Sequence, residues 1–366
     1  MFGINFLAMT SFYLLLSVVP MYSGGTSAGL ATGVLMLATV AAELVSPRFV
    51  ARYGYRRVLA VGLVLLGAPA FALPATKDAI LVVCLLRGVG FAIVVVVNGA
   101  LVATLLPPER RGEGLGLYGV VANVPAVVAL PLGVWFAGHI GFPPVFLAGG
   151  AVALAGLAAV SGLPQRPQEP EQALGVLGGL RTPALVRPAT VFAAVTMAAG
   201  VVVTFLPAAT GSVAAAALLA QAAMATVTRW WAGRYADRHG AAGLLAPAAV
   251  LVAVGALALV WATSPVVVLS GMVVFGAGFG IAQNASLSMM YDRMPASAYG
   301  TVSAVWNIAY DGGLGIGAIG FGALAAWTGF PLGFAVTALL VLVAMPLGKA
   351  AGQSSLCCLR YLASSS

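Results

Sequence analysis

Charged residues are scarce in this chain. Of its 366 residues, 17 are Lys or Arg and 9 are Asp or Glu, so charged side chains make up only 7%, whereas a soluble domain carries about a quarter. Hydrophobic residues make up 61%, and the mean hydropathy is +1.06. A folded body of this composition has too little polar surface to face water. The composition therefore excludes a water-soluble globule and indicates apolar helices that lie in a bilayer.

Cysteine and histidine are also rare. Cys84 lies in an apolar run, and Cys357 and Cys358 are adjacent near the end of the chain, so the three cannot form a disulfide framework. The two histidines, His139 and His239, fall at opposite predicted membrane edges, which argues against one shared catalytic site. Neither of the two lysines lies in a G-x-x-x-x-G-K-[ST] loop for ATP. We therefore expect no enzymatic activity, no cofactor and no metal site, and a gradient or a partner as the energy source.

The net charge of +8 does not indicate nucleic-acid binding. A nucleic-acid surface combines clustered basic residues with interleaved aromatic residues. Here the arginines stand at the ends of apolar runs instead, where they act as topology signals.

Apolar runs of membrane-spanning length recur along the chain. A spanning helix needs about 20 mostly apolar residues. We predict twelve spans, at residues 2–22, 28–47, 58–75, 79–105, 113–138, 143–163, 189–208, 211–232, 243–262, 265–290, 301–327 and 331–348. The first run lacks the basic start and the small-residue cleavage site of a signal peptide, so we interpret it as span 1. The fold class is therefore an all-α integral membrane protein.

The arginines give the orientation of these spans. Fourteen basic residues lie on one set of span ends, and Lys77 alone lies on the other. Loops rich in Lys and Arg remain on the cytoplasmic side. We therefore predict a multi-pass protein of a bacterial inner (cytoplasmic) membrane with both termini in the cytoplasm, surrounded by membrane lipid.

One segment departs from the composition of the rest. Residues 164–188 contain several prolines, two glutamates and three arginines, as a polar linker does. We predict an N-terminal six-helix bundle at 1–163, a cytoplasmic linker at 164–188, a C-terminal six-helix bundle at 189–348 and a cytoplasmic tail at 349–366.

The two halves resemble each other at fixed offsets. Chance supplies single matches in a Gly-rich chain, but it rarely supplies a constant register. The matches at an offset of 188 are Gly90 with Gly278, Gly112 with Gly300, and Gly141 with Gly329. At an offset of 186, Gly54 corresponds to Gly240.

The loop between spans 8 and 9 carries a motif. Residues Gly233 to Gly240 read G-R-Y-A-D-R-H-G, which resembles the G-x-x-x-D-R-x-G signature of the major facilitator superfamily. The twelve spans, the central linker and the paired loops are similar to that family over nearly the whole chain. The resemblance implies two six-helix bundles, a central cavity and alternating access by rocking. We expect a monomer that carries a small-molecule substrate.

The signature implies a conformational gate on the cytoplasmic side. In the family pattern, its acid contacts the positive N-terminus of a helix in the other half. Here that acid is Asp237, with the start of span 5 near Gly112 as its expected partner; the first-half copy has Ala51 instead of an acid. The alternative is that the loop arginines only set topology. The residues assigned to the gate are Gly233, Asp237, Arg238, Gly240, Arg52, Gly54 and Arg229.

Four charged residues lie inside predicted spans, away from their terminal residues, and such residues are costly enough in lipid to indicate function. They are Glu43, Arg87, Arg229 and Asp311. Asp311 is about 15 Å along span 11, near the middle of the bilayer. We predict that Asp311 carries protons, with a fixed arginine partner or a helix-packing hydrogen bond as alternatives. Glu43 is a second coupling candidate, although it lies near the cytoplasmic mouth, where packing or gating also explains it.

Two arginines have competing interpretations. The sequence around Arg87 resembles the span 4 arginine motif of the family's proton-linked drug and metabolite exporters, with a different glycine spacing. The resemblance implies that Arg87 binds an anionic group or tunes a carboxylate. In the alternative interpretation, Arg87 is a structural residue whose guanidinium donates to backbone carbonyls. Arg229 is either a gate residue or a side chain that extends its charge towards the cytoplasmic edge.

Polar residues on spans 1, 4 and 10 are the candidate substrate contacts, because the family lines its cavity with spans 1, 4, 7 and 10. Together with Arg87 they are Asn5, Tyr13, Asn98, Gln283 and Asn284. Alternatively, such side chains hold helices together. Span 7 offers little polarity beyond threonines, so the lining suits a hydrophobic or amphipathic solute.

These observations predict a secondary active transporter that exports a small amphipathic or hydrophobic compound in exchange for protons. Proton-coupled or facilitative uptake of a small metabolite is the first alternative. A non-transporting receptor with the same fold is the second.

Overall fold

The computed structural model describes residues 2–105, 111–163, 176–295 and 298–363. Within these ranges nearly every residue is helical, and none lies in a strand. This is the expected outcome for apolar segments in lipid, because a helix satisfies its backbone polar groups internally. The predicted all-α class is confirmed.

The helices are α1 (Phe2–Leu16), α2 (Val18–Ser23), α3 (Gly25–Tyr53), α4 (Tyr55–Gly67), α5 (Ile80–Leu105), α6 (Arg111–Ile140), α7 (Phe142–Ala155), α8 (Val176–Gly179), α9 (Pro183–Thr210), α10 (Ala214–His239), α11 (Leu245–Ala258), α12 (Pro265–Tyr291) and α13 (Tyr299–Ala363). Short 3₁₀ segments follow α4, α7, α9 and α11, at Ala68–Ala72, Gly156–Gly162, Gly211–Val213 and Leu259–Trp261.

Nine helical stretches in the described part of the chain are long and apolar enough to cross a membrane. Two exceed a single crossing: Pro183–His239 has 57 residues and Tyr299–Pro346 has 48. Leu245–Trp261 is a shorter apolar helix. The membrane-spanning character of the protein is thus confirmed, whereas the count of twelve spans stays a prediction.

Glycines at matching positions break the helices in both halves. Gly54 and Gly240 have φ values of 79° and 81°, and Gly141 and Gly329 have values of 84° and 76°. Glycine adopts this left-handed region without the steric penalty of a Cβ. The breaks therefore fall where the sequence offsets of 186 and 188 pair these residues.

The glycines of α5 and α12 also correspond in their packing. A Cβ on Gly88 would overlap the backbone of α3, and a Cβ on Gly276 would overlap that of α10. Two residues further on, Gly90 lies against α4 and Gly278 lies against α11. Each helix thus packs closely on two neighbours through small residues, as membrane helices commonly do.

Residue contacts divide the chain into two units. The first comprises Met1–Pro170, Val203–Leu219 and Ala318–Ala326, and the second comprises Glu171–Val202, Ala220–Gly317 and Trp327–Ser366. In the first unit, α5 packs on α3 and α4, and α1 packs on α6 and α7. In the second unit, α11 packs on α12.

The first unit holds a segment of α9 through buried hydrogen bonds. The Thr204 hydroxyl donates to the Thr32 hydroxyl of α3 at 2.9 Å, and the Ser17 hydroxyl donates to the Val203 carbonyl at 2.7 Å. All three hydroxyl-bearing side chains are buried. A Cβ on Gly29 would overlap the Ala318 carbonyl of α13, so this contact requires glycine.

Candidate functional site

The polar residues of α13 lie on one face of the helix. Ser303, Asn307 and Asp311 follow each other at intervals of four residues, which places them in a row. Ile316 is 60% exposed and lies about 140° around the helix from Asp311. The row therefore faces away from the exposed side of α13, towards the protein interior. Sequence reasoning identified Asp311 but missed Asn307 and Ser303, although their spacing was visible.

Asp311 is buried, with 5% of its surface exposed. The next turn of α13 is fixed against α9, because Gly313 and Gly317 lie against the backbone of Ala193 and Met197. The Thr196 hydroxyl also donates to the Ala309 carbonyl at 3.0 Å. Asp311 is thus held in the interior on a helix that packs closely against α9.

An aromatic cluster adjoins this face of α13. Trp306 stacks on Phe192 of α9, with ring centroids 4.8 Å apart and an interplanar angle of 18°. Tyr310 lies 5.6 Å from Trp306 and 6.0 Å from Phe192. Phe279 of α12 lies 6.3 Å from Tyr310. These four residues, hereafter the ring cluster, were not identified from the sequence because they come from three separate helices.

One hydrogen bond connects the ring cluster to α12, and another connects α12 to α10. The Trp306 indole N–H donates to the Ser286 hydroxyl at 3.0 Å. One turn away, the Arg229 guanidinium donates to the Gln283 side-chain oxygen at 2.9 Å. A Cβ on Gly233 would lie 3.2 Å from the Asn284 amide nitrogen. The predicted substrate contacts Gln283 and Asn284 therefore adjoin two predicted gate residues, Arg229 and Gly233.

Helices α1 and α5 bring together another predicted group. The Asn98 amide donates to the Asn5 side-chain oxygen at 3.2 Å, and Phe12 stacks on Phe91 with centroids 3.6 Å apart. The members of the two pairs are seven residues apart on each helix, so both contacts fit one antiparallel arrangement of α1 and α5. Both asparagines are completely buried. The Asn5 amide nitrogen and the Asn98 oxygen have no further partner among the described residues.

Arg87 lies further along the same face of α5 and is 2% exposed. Its guanidinium donates to the Leu66 carbonyl at 2.6 Å and to the Ser11 carbonyl at 3.2 Å. It also borders a small, mostly apolar pocket with Cys84 and Thr32. These contacts are those expected of a structural arginine, while the anion-binding role stays a prediction.

The other predicted site residues of the first unit are less buried. Tyr13 is half-buried and meets Phe12 edge to face, 5.2 Å between centroids. Glu43 is half-buried on α3. At the end of α3, the exposed Arg52 stacks over the Tyr53 ring at 5.3 Å, directly before Gly54.

The residues of the G-x-x-x-D-R-x-G motif lie at the C-terminal end of α10. Asp237 and Arg238 are exposed in its last turn, and Gly240 lies immediately beyond it. The expected partner of Asp237 near Gly112 lies outside the residues whose surroundings are described. Arg234 stacks over the Trp230 ring at 4.0 Å. In the loop that follows α12, burial lowers the pKa of Arg293. The charge of Asp292 raises this pKa, and the charge of Arg187 lowers it further.

No group of three His, Cys, Asp or Glu side chains suitable for a metal ion occurs within the described ranges.

Comparison with known sequences gives a family match. Residues 1–318 match the sequence model of the Major Facilitator Superfamily. Proteins described as uncharacterized MFS-type transporters in Burkholderia mallei and Burkholderia pseudomallei are 37% identical to this chain over 81 residues. That segment is 22% of this chain and 20% of each relative, so the match spans about a fifth of the relatives' length.

Solved structures share the fold. A nucleoside transporter, NupG in a D323A mutant form, has a TM-score of 0.72 and 15% identity, with 95% of this chain and 98% of that chain covered. A bacterial homolog of the human lysosomal transporter Spinster has a TM-score of 0.75 and 14% identity, with coverage of 96% and 94%. A POT family transporter has a TM-score of 0.78 and 11% identity, with coverage of 96% and 95%.

Proposed function

Since the chain belongs to the Major Facilitator Superfamily, we propose that it is a secondary active transporter that exports a small amphipathic or hydrophobic compound in exchange for protons by alternating access. In this proposal it works as a monomer in the inner membrane, with both termini in the cytoplasm. The two longest helical stretches, Pro183–His239 and Tyr299–Pro346, each supply two spans. With Leu245–Trp261 they complete twelve spans in two six-helix bundles on either side of the cytoplasmic linker.

The observation that carries the proposal is the burial of Asp311 within α13. An ionised carboxyl group inside a membrane protein is expensive unless a positive charge or several donors stabilise it. A proton neutralises the group, and its release to the other side of the membrane makes Asp311 a carrier. Glu43, which lies inside predicted span 2, is the second coupling candidate.

The nature of the solute follows from the threonines of α9. The hydroxyl groups of Thr190 and Thr196 donate to backbone carbonyls, and that of Thr204 donates to Thr32. These groups are occupied in helix packing, so α9 offers a solute mainly apolar contacts. A sugar-like solute needs more polar partners than this. The arrangement supports an amphipathic or hydrophobic substrate.

The decisive experiment uses purified protein in proteoliposomes with a pH-sensitive dye inside. A panel of hydrophobic cations, neutral antibiotics and organic anions is added to the wild type and to Asp311→Asn. We expect one class to drive proton movement in the wild type and none to do so in the variant. Ile316→Ala, a change on the exposed side of the same helix, is the matched control and should behave as the wild type does.

Two outcomes would change the proposal. Unaltered proton movement in Asp311→Asn would remove Asp311 as the carrier. Movement of solute and protons in the same direction would instead establish coupled uptake.

A further inference from the structure

A small cavity lies between α1, α2, α3 and α5 of the first unit. Its volume is about 10 Å³, which is about the space that one water-sized species requires. The residues that border it are all buried. Most of them are apolar, and the polar ones are Thr32, Cys84 and Arg87. The cavity therefore lies inside the first unit and is reached by three polar side chains.

Arg87 brings a positive charge to this cavity. A guanidinium stays protonated in proteins, and it has five N–H donors and no acceptor. Its two hydrogen bonds among the described residues both end at backbone carbonyls, and no carboxylate of these residues pairs with it. Carbonyl groups accept hydrogen bonds without neutralising the charge. Since a buried charge is costly without an opposite one, a counter-ion at the cavity would stabilise Arg87.

The other polar side chains near Arg87 also have hydrogens to donate. The Thr32 hydroxyl accepts from Thr204, and no hydrogen bond among the described residues uses its own hydrogen. The Cys84 thiol is a weak donor. The carbonyl of Ser11 accepts from Arg87, and the completely buried Ser11 hydroxyl has no partner, although buried hydroxyls normally have one. The side chains around the guanidinium thus offer donors and no negative charge.

We propose that this cavity binds one inorganic anion of the halide class, chloride in the cell. An anion accepts hydrogen bonds from these donors and also neutralises Arg87, whereas a water molecule only accepts the bonds. An inorganic cation is repelled by the guanidinium. The site goes beyond the proposed transport function and does not depend on it.

The size of the cavity selects among anions. A carboxylate, sulfate or phosphate group is too large for about 10 Å³, so the carboxyl group of a transported solute does not fit. Chloride is only somewhat larger than water. The wall that accommodates the difference includes three flexible side chains, Leu15, Leu16 and Leu35.

The test uses purified protein in detergent at constant ionic strength, with sodium chloride replacing sodium gluconate. A ligand that binds only the folded state raises the unfolding temperature. We expect chloride and bromide to raise it, and sulfate to have no such effect. Broadening of the chloride NMR line, relative to protein-free micelles, measures binding directly, and bromide should reverse it.

Two variants locate the anion without replacing Arg87, whose bonds to carbonyls also support the fold. Ala31→Val fills the cavity and should abolish both chloride effects, because Ala31 borders it and is 1% exposed. Thr32→Val keeps the shape but removes a donor, and it should weaken chloride binding at least about tenfold. Thr10→Val is the matched control, since the Thr10 hydroxyl donates to the Phe6 carbonyl of its own helix, and it should leave chloride binding unchanged.

Each variant is compared with itself in the two salts, so its own change in stability does not enter the result. Equal unfolding temperatures in chloride and gluconate, without line broadening, would mean that the cavity holds water alone and would overturn the site. Equal effects of chloride and sulfate would show a general salt effect and would also overturn it. Full chloride binding by folded Ala31→Val or Thr32→Val, each checked by elution as a single species, would locate the anion elsewhere.

Discussion

At the scale of single residues, the buried Asn5–Asn98 pair leaves part of its hydrogen-bonding capacity unused. One hydrogen bond joins the two amides, and each keeps an atom without a described partner. Rotating both amide groups by 180° exchanges donor and acceptor but again leaves one N–H group and one oxygen unpaired. An unpaired buried polar group costs about 1–3 kcal/mol, so this pair lowers stability unless water or a solute binds it.

We therefore predict non-additive effects of replacing these asparagines. Asn98→Leu alone leaves the Asn5 amide wholly unpaired and should lower the free energy of unfolding by about 1–3 kcal/mol. Asn5→Leu with Asn98→Leu removes both unsatisfied groups and should recover most of that loss. Thermal unfolding of the purified variants in detergent measures both effects. Simple addition of the two single losses would contradict a coupled pair.

At the scale of elements, the contact between α9 and α13 depends on individual glycines. A Cβ on Gly313 would overlap the Ala193 carbonyl and the Thr196 hydroxyl, whereas a Cβ on the adjacent Gly312 would meet nothing within 4 Å. Small residues at such contacts let two membrane helices approach closely. The packing of α9 against α13 therefore sets the positions of the ring cluster and of Asp311.

Gly313→Ala and Gly312→Ala form a matched pair on this helix. Gly313→Ala should force α9 and α13 apart and lower stability by about 1–3 kcal/mol. Gly312→Ala should leave stability unchanged or slightly raised, because alanine favours helix more than glycine does. The measurement is the unfolding temperature of both variants in the same detergent. Equal losses in the two variants would show that this contact does not determine the packing.

The last turn of α10 contains an acidic residue, although the C-terminal end of a helix disfavours negative charge. Asp237 lies in the last turn, where the partial negative charge of the helix end repels a carboxylate by about 0.3–1 kcal/mol. Local stability therefore does not account for Asp237, which supports a role in the conformational cycle.

Asp237→Asn should consequently change stability and turnover in opposite directions. We expect an unfolding temperature equal to or above that of the wild type, because the unfavourable charge is removed. We also expect a lower kcat with little change in KM, because gating steps set turnover. Transport assays in proteoliposomes give both constants. The control is Asp292→Asn, at the exposed end of α12. An unchanged kcat in Asp237→Asn would indicate that the loop serves only as a topology signal.

At the scale of the whole molecule, the division into units does not follow the chain. Val203–Leu219 and Ala318–Ala326 belong to the first unit although they lie in the second half of the sequence. Buried bonds such as that between Thr32 and Thr204 fix this assignment. If the protein works by the proposed alternating-access cycle, we expect contacts of this kind to separate when the solute passes.

A reversible crosslink tests that requirement. In a background without Cys84, Cys357 and Cys358, we predict that Thr32→Cys with Thr204→Cys forms a disulfide on oxidation, because the two hydroxyl oxygens are 2.9 Å apart. Transport should stop on oxidation and return on reduction. Each single cysteine variant should remain active under both conditions. Full transport by the oxidised double variant would show that this contact stays closed throughout the cycle.

The sequence by itself determined the properties that depend on local physics. The lengths of the apolar runs required helices in lipid. The offsets of 186 and 188 paired Gly54 with Gly240 and Gly141 with Gly329, and the structure has a positive φ at all four. It also identified Asp311 and Arg87 as buried charges, because any ionisable residue within an apolar run has to be accommodated by the protein interior.

Only the tertiary structure decided which of these residues meet. The pairing of Asn5 with Asn98, the bond from Arg229 to Gln283 and the stacking of Phe192 on Trp306 depend on the register between helices distant in sequence. A shift of one residue rotates a side chain by about 100° and removes it from such a contact. Composition and periodicity do not encode that register, since it results from close packing of small residues between particular helices.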